Sequence, residues 1–135
     1  MAEACAAEGG SLTVLDSSGA AKGYADGRPS GAPAVEMGWV FGLDAAAIAP
    51  HCTIEAIAYA HDPARVALDL AAYRDVAGSS PIAAVVRPFG PDCDDVANLR
   101  AKAELARDAG CTRLDLYHYG LLPLPVLDRV AAALA

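Results

Sequence analysis

Apolar and polar residues follow a repeating order in the second part of the chain. Short apolar runs begin near Thr53, Ile82 and Thr112, and each is followed by a longer segment with helical spacing of its apolar residues. Starts that recur at roughly 30-residue intervals match the length of a βαβ unit and exclude antiparallel hairpins between these runs. The pattern therefore predicts an α/β fold, with three parallel strand-then-helix units from about Cys52 onward.

The first of these units has clear boundaries. The run Thr53–Tyr59 is predicted as a strand and the segment Ala64–Ala77 as a helix. Asp62 is placed to cap that helix, Pro63 suits its first position, and Gly78 is a helix stop.

The second and third units repeat the same order. Strands are predicted over Ile82–Val86 and Thr112–Tyr117. One helix is predicted from about Asp94 to Ala109, where Gly110 ends it, and another from about Pro125 to the end of the chain.

Residues 1–40 are irregular by comparison. Ser11–Leu15 is predicted as one short strand, and Gly19–Pro33 as a loop rich in Gly, Pro and Ser. Because the usual connection in an α/β unit has about 2 to 6 residues, this loop is functional, disordered or a sign of a missing partner. Asp44 is then placed to cap a short helix over Ala45–Ala49. We interpret the whole chain as a single α/β domain.

Composition and charge narrow the range of partners. A chain of 135 residues with 55% hydrophobic and 20% charged residues fits one globular domain. The formal net charge of −7 and the scattering of the ten Lys and Arg residues argue against nucleic acid. No apolar stretch approaches ~18 residues, and no secretory signal is readable. We therefore expect no membrane partner and a cytoplasmic location.

The four cysteines do not suggest a metal centre. Cys5, Cys52, Cys93 and Cys111 are far apart, and no pair has the spacing of zinc ligands. Buried free thiols are the expected role. The sequence predicts neither a metal nor a cofactor.

Polar side chains collect at the predicted carboxyl ends of the strands, where parallel α/β folds carry their sites. Because side chains alternate between the two faces of a strand, Tyr59, Arg87 and Tyr117 are expected on one face. A ligand pocket is therefore predicted at this end, without an assigned catalytic residue. The candidate ligand-binding residues are Tyr59, His61, Asp62, Arg87, Asp115, Tyr117 and Tyr119.

These candidates offer different chemistry to a ligand. The rings of Tyr117 and Tyr119 present an apolar face with a polar tip to a sugar or another flat molecule. Arg87 suits a carboxylate or phosphate group of a ligand, with Asp62 and Asp115 as its possible partners in the chain.

The two histidines near the strand ends are weaker candidates. His61 and Asp62 directly precede a helix, where a helix-start role competes with a ligand role. His118 is expected on the opposite face from Tyr117 and Tyr119.

Three segments together resemble a known family. They are Glu55–Tyr59 with His61–Pro63, Ile82–Gly90, and Gly110–Gly120. Together these segments resemble the last three βα units of TIM-barrel glycoside-hydrolase-like proteins. The nearest pattern is the chitinase-like family eighteen, in which a strand ends in a Met-x-Tyr-Asp type motif. Ile57-Ala58-Tyr59 matches that motif loosely, with Ala60 in place of the aspartate. The acidic Asp-x-x-Asp-x-Glu run of that family is absent.

The resemblance implies a partial, half TIM-type barrel that binds a carbohydrate-type small molecule. A full barrel needs about 250 residues, so this chain supplies about half of one. We expect a homo-oligomer or a missing N-terminal half, and no glycosidase-like activity from the isolated chain. Two alternatives stay open: a non-catalytic binding or assembly module that dimerises through exposed sheet edges, and a small open doubly wound domain.

Overall fold

A computed structural model of the chain describes residues 1–17, 19, 22, 24–25, 28–29 and 42–135, with the backbone alone for residues 24–25, 28–29 and 119. The described part is an α/β structure in which a parallel sheet alternates with helices. The strands are β1 (Thr13–Leu15), β2 (Tyr24–Ala25), β3 (Arg28–Pro29), β4 (Thr53–Ile57), β5 (Ile82–Val86) and β6 (Arg113–Leu116). The α-helices are α1 (Ala2–Ala7), α2 (Ala45–Ile48), α3 (Pro63–Ala77), α4 (Val96–Asp108) and α5 (Leu124–Leu134).

The main sheet has four strands in the order β1-β4-β5-β6, and every neighbouring pair is parallel. The order follows the chain, and the parallel arrangement predicted for the last three strands is confirmed. The short strand predicted within Ser11–Leu15 is also confirmed, and it pairs in register with Thr53 to Glu55. A doubly wound sheet would need a reversal in strand order, which the described strands do not have.

One face of the sheet forms the core with the helices. The inward residues of β4 and β5 alternate with those of the other face, because successive side chains of a strand point in opposite directions. Helices α3 and α4 pack side by side on this face, and α5 packs against α4. The strand residues of this core are Ile54, Ala56, Ala58, Ile82, Ala84 and Val86, with Leu114 and Leu116 at its edge.

Local signals in the sequence set the helix ends. The Asp62 carboxylate accepts from the Ala64 backbone N–H at 2.9 Å, so this residue caps α3 as predicted. Asp95 caps α4 in the same way, which starts that helix two residues later than the predicted Asp94. Gly78 ends α3 with a φ of +58°, a conformation that favours glycine.

Arg74 links the carboxyl ends of two helices, on the side of the sheet away from the carboxyl ends of the strands. Its guanidinium donates to four backbone carbonyl oxygens, those of Gly78, Ser80, Ala109 and Gly110. These contacts fix the carboxyl ends of α3 and α4 relative to each other. They leave the carboxyl ends of the strands free for another role.

A buried polar network anchors the segment that follows β1. The Tyr73 hydroxyl donates to the fully buried Asp16 carboxylate at 3.0 Å. The Lys22 ammonium donates to Asp69 at 3.2 Å and to the Ile57 carbonyl oxygen at 3.1 Å. The network therefore joins β1, α3 and the end of β4.

The predicted loop Gly19–Pro33 is only partly described. Within it, Tyr24–Ala25 pairs antiparallel with Arg28–Pro29, so this stretch contains a short hairpin rather than loop alone. Much of the segment lies outside the described residues.

The described residues hold neither a membrane-spanning helix nor a cluster of metal ligands. Within them, no helix is both long and apolar enough to cross a membrane. The same ranges contain no group of at least three His, Cys, Asp or Glu side chains that would hold a metal ion.

Candidate functional site

Three side chains meet where the strands β4, β5 and β6 end, on the face that the helices leave open. The Arg87 guanidinium carbon lies 4.6 Å from the Tyr59 ring centroid and 5.7 Å from that of Tyr117. The two tyrosine rings are 5.7 Å apart and tilted by 42°. Attraction between a cation and aromatic rings at such distances stabilises the cluster. We call Tyr59, Arg87, Tyr117 and the nearby Phe89 the aromatic–arginine cluster.

The sheet register brings these residues together. Ile57 pairs with Val85, and Val85 pairs with Asp115. Two residues further along each strand are Tyr59, Arg87 and Tyr117, which point to the same face because the side-chain period is two. The hydrogen bond from the Tyr117 N–H to the Val86 carbonyl, 2.9 Å long, extends the ladder far enough to keep this alignment.

An ion pair from a neighbouring loop holds Arg87 in place. Its Nη1 lies 2.8 Å from Oδ2 of Asp92, with the two side chains 26% and 15% exposed. The prediction that Asp62 or Asp115 pairs with Arg87 is wrong. Asp62 caps α3, and Asp115 pairs with Arg113 at 2.8 Å. The loop after β5 folds back over its own strand end, which strand spacing alone does not reveal.

The Asp92 carboxylate lies at the edge of the cluster and is mostly buried. Oδ2 is buried and receives no aligned hydrogen bond from the described residues, although the Arg87 charge lies beside it. Burial raises the pKa of Asp92, and the positive charges of Arg87 and Lys102 oppose that rise. The carboxylate has lone pairs beyond the ion pair and is 15% exposed, so it can accept a hydrogen bond from a ligand.

The two tyrosines present different surfaces. Tyr117 is 43% exposed, whereas Tyr59 is half-buried beneath the guanidinium. Burial raises the pKa of the Tyr59 hydroxyl, and the Arg87 charge partly counters this. The Tyr59 hydroxyl therefore stays protonated at neutral pH and can donate to a ligand.

His61 and Asp62 lie beside the cluster instead of within it. His61 is exposed, and its Nε2 lies 3.2 Å from Oδ1 of Asp94. Its carbonyl accepts from the Asn98 side chain at 2.9 Å. The hydrogen bond from His61 lowers the pKa of Asp94. These contacts join the starts of α3 and α4 at the rim of the candidate site.

Two aromatic neighbours differ from expectation. The His118 ring lies 4.2 Å from the Tyr117 ring and 6.4 Å from Phe89, so the predicted opposite placement is wrong. The strand ends at Leu116, and the alternation between faces does not extend to a turn residue. Phe89 was missed because it belongs to a loop. The side chain of Tyr119 lies outside the described residues.

A pair of carboxyl groups lies on the same open face, deeper along the strands. Glu55 on β4 and Asp115 on β6 lie on this face with β5 between them, and their side chains interact. Burial raises the pKa of Glu55, as does the interaction with Asp115, while Arg113 lowers it. Glu55 was missed, although its alternation with Ile57 and Tyr59 places it on this face.

Replacing Glu55 by glutamine is expected to raise the thermal midpoint at about pH 7. Because the folded-state pKa of Glu55 is raised, its favourable contribution is present below the unfolded pKa and is lost as pH rises. Glutamine keeps a donor for Asp115 at any pH. The difference from wild type should vanish below about pH 4, where the carboxyl is protonated in both states. Melting curves at both pH values, with the exposed Glu104→Gln as control, would contradict this if the two variants behaved alike.

Comparison with protein families, with curated proteins and with solved structures finds no match for this chain.

Proposed function

We propose that the chain binds a neutral, cyclic, polyhydroxylated ligand of the carbohydrate type over the aromatic–arginine cluster. The observation that carries the proposal is the exposed Tyr117 ring beside the Arg87–Asp92 ion pair. Sugar rings have apolar C–H faces that pack on aromatic rings and hydroxyl groups that donate to carboxylates. Both requirements meet at one strand end.

The charge balance at the cluster favours a neutral ligand over an anion. The ion pair with Asp92 already offsets the Arg87 charge. A phosphate or carboxylate would compete with Asp92 for the guanidinium and meet a second negative charge beside it. A hydroxyl group can instead accept from Arg87 and donate to Asp92.

We also propose that the chain forms a half TIM-type barrel and binds its ligand without hydrolysing it. Parallel strands in chain order, with helices packed on one face, support a half TIM-type barrel related to glycoside hydrolases. Glycosidase carboxyl groups flank the scissile bond at roughly 5 to 9.5 Å. The interaction with Asp115 raises the pKa of Glu55, which is typical of neighbouring carboxyl groups and not of a pair held apart for a sugar. The proposed activity is therefore binding.

Titration of isotope-labelled protein tests this proposal. Cellotetraose, chitotetraose, maltotetraose and inorganic phosphate would each be added while NMR signals of Tyr59, Arg87 and Tyr117 are followed. We expect at least one oligosaccharide to shift these signals and phosphate to leave them unchanged. In Tyr117→Ala the affinity should fall about 5- to 160-fold, if a sugar face stacks on the ring as strongly as a nucleic-acid base does, about 1–3 kcal/mol.

Leu124→Ala is the matched control, because it removes an exposed apolar side chain from α5 without touching the cluster. Its affinity should equal that of wild type. Failure of all the oligosaccharides to shift the signals would overturn the proposal. A response to phosphate alone would replace it with an anion site.

Assembly through the sheet is a second candidate function. Within the described ranges, no strand pairs with the outer edge of β1 or of β6. Leu121 and Leu124, which follow β6, are 77% and 75% exposed. Light scattering after size-exclusion chromatography tests this candidate, and a monomer at all concentrations would remove it.

A further inference from the structure

Lys102 is a fully buried cation on the underside of the loop that carries Asp92. It belongs to the middle of α4, and its side chain has no exposed surface. Its ammonium group donates to the backbone carbonyl oxygen of Asp92. Removing an ammonium group from water is unfavourable unless its partners compensate. The residue therefore needs an explanation other than packing.

A continuous series of contacts leads from Lys102 to the candidate site. Lys102 holds the main chain of Asp92, whose carboxylate lies 2.8 Å from Arg87. Arg87 in turn lies over the Tyr59 ring. The turn itself is closed by the Asp92 and Cys93 N–H groups, which donate to the Phe89 carbonyl at 3.2 and 3.1 Å.

We propose that Lys102 is a positioning residue, which orders the Asp92 loop and thereby holds Arg87 in the orientation that the ligand meets. Its effect on binding rests on the proposed carbohydrate-type function, whereas its effect on Arg87 does not. Burial lowers the pKa of Lys102, and the nearby Cys93, Asp92 and Asp94 oppose this shift. The cation thus stabilises the loop at a cost to the stability of α4.

Lys102→Met separates these two effects, because methionine keeps the unbranched stem and removes the charge. The free energy of unfolding should not fall, since a buried ammonium is removed. The heteronuclear NOE of Arg87 Nε should fall to the value of the exposed Arg107. Affinity for the oligosaccharide that binds wild type should drop about tenfold. This is the free energy of about one hydrogen bond, which is lost when Arg87 is no longer held in position.

Arg100→Met is the matched control on the same helix. Arg100 donates to the Ala132 and Ala133 carbonyl oxygens at the end of α5, away from the Asp92 loop. This variant should lower stability and leave the Arg87 NOE unchanged. Equal NOE values for wild type and Lys102→Met would overturn the positioning role, even where a sugar binds.

A double-mutant cycle with Asp92→Asn tests whether Lys102 acts through Asp92. Each single change should lower the Arg87 NOE, and the double variant should lower it no further, because both act on one series of contacts. Additive losses would show that Lys102 reaches Arg87 by another route. If no oligosaccharide binds wild type, the proposed function fails while the NOE still decides the role of Lys102.

Discussion

Arg87→Ala should weaken oligosaccharide binding by about 10- to 100-fold, because a hydrogen bond to a charged group contributes about 1.5–3 kcal/mol. The substitution removes the group that spans Tyr59 and Tyr117 and leaves Asp92 without its ion-pair partner. The stability loss should be smaller, about 1 kcal/mol, because the ion pair is partly exposed. Isothermal titration and thermal melting measure the two effects separately.

Arg113→Ala is the appropriate comparison for this measurement. Arg113 also lies on the open face and pairs with a carboxylate, that of Asp115. It precedes Tyr117 by four residues, roughly 13 Å along the strand, so it lies outside the cluster. Binding should be retained in this variant. Unchanged affinity in Arg87→Ala together with a lower melting temperature would make Arg87 a structural ion-pair residue and would rule out the proposed site.

Tyr73→Phe should lower the free energy of unfolding by about 1–3 kcal/mol, the cost of removing a hydrogen bond from a buried charged group. The Tyr73 hydroxyl is a donor to Asp16, and both side chains are buried. Urea denaturation measures the change. Tyr117→Phe serves as control, because an exposed hydroxyl should change stability by less than about 0.5 kcal/mol.

The buried hydroxyl of Tyr73 should also make the free energy of unfolding depend on pH above about pH 10. Burial raises the pKa of Tyr73 far above its usual value, and the charge and hydrogen bond of Asp16 raise it further. A raised folded-state pKa gives stability that is fully present below the unfolded pKa of about 10 and is lost as pH rises beyond it. Phenylalanine does not titrate, so the difference between wild type and Tyr73→Phe should narrow above about pH 10. A constant difference would contradict the assigned environment.

The elements that were predicted correctly are those specified by local sequence. Strands β4 and β5 are short apolar runs, and their neighbouring helices have polar caps and glycine stops. Hydrogen bonding at Asp62 and the positive φ of Gly78 need only adjacent residues. Such signals do not depend on the rest of the fold. Short helix α1, by contrast, carries no capping side chain and was not predicted.

The candidate site was predicted in part, for a similar reason. Alternation along strands in parallel register places Tyr59, Arg87 and Tyr117 on one face, and the structure brings them together. His61 and Asp62 do not join them, because both lie beyond the strand end in a helix-capping turn. Residue alternation carries information only while the ladder continues.

The sequence by itself determined the succession of strands and helices along the chain, most helix ends and the face on which each strand residue lies, since these follow from backbone period and adjacent hydrogen bonds. Only the tertiary structure decided the partner of Arg87, the meeting of Glu55 with Asp115 and the burial of Lys102 beneath the Asp92 loop. Each of these depends on how a loop folds back or on which side chains meet across an intervening strand. Such contacts join residues through space, and no periodic pattern along the chain encodes them.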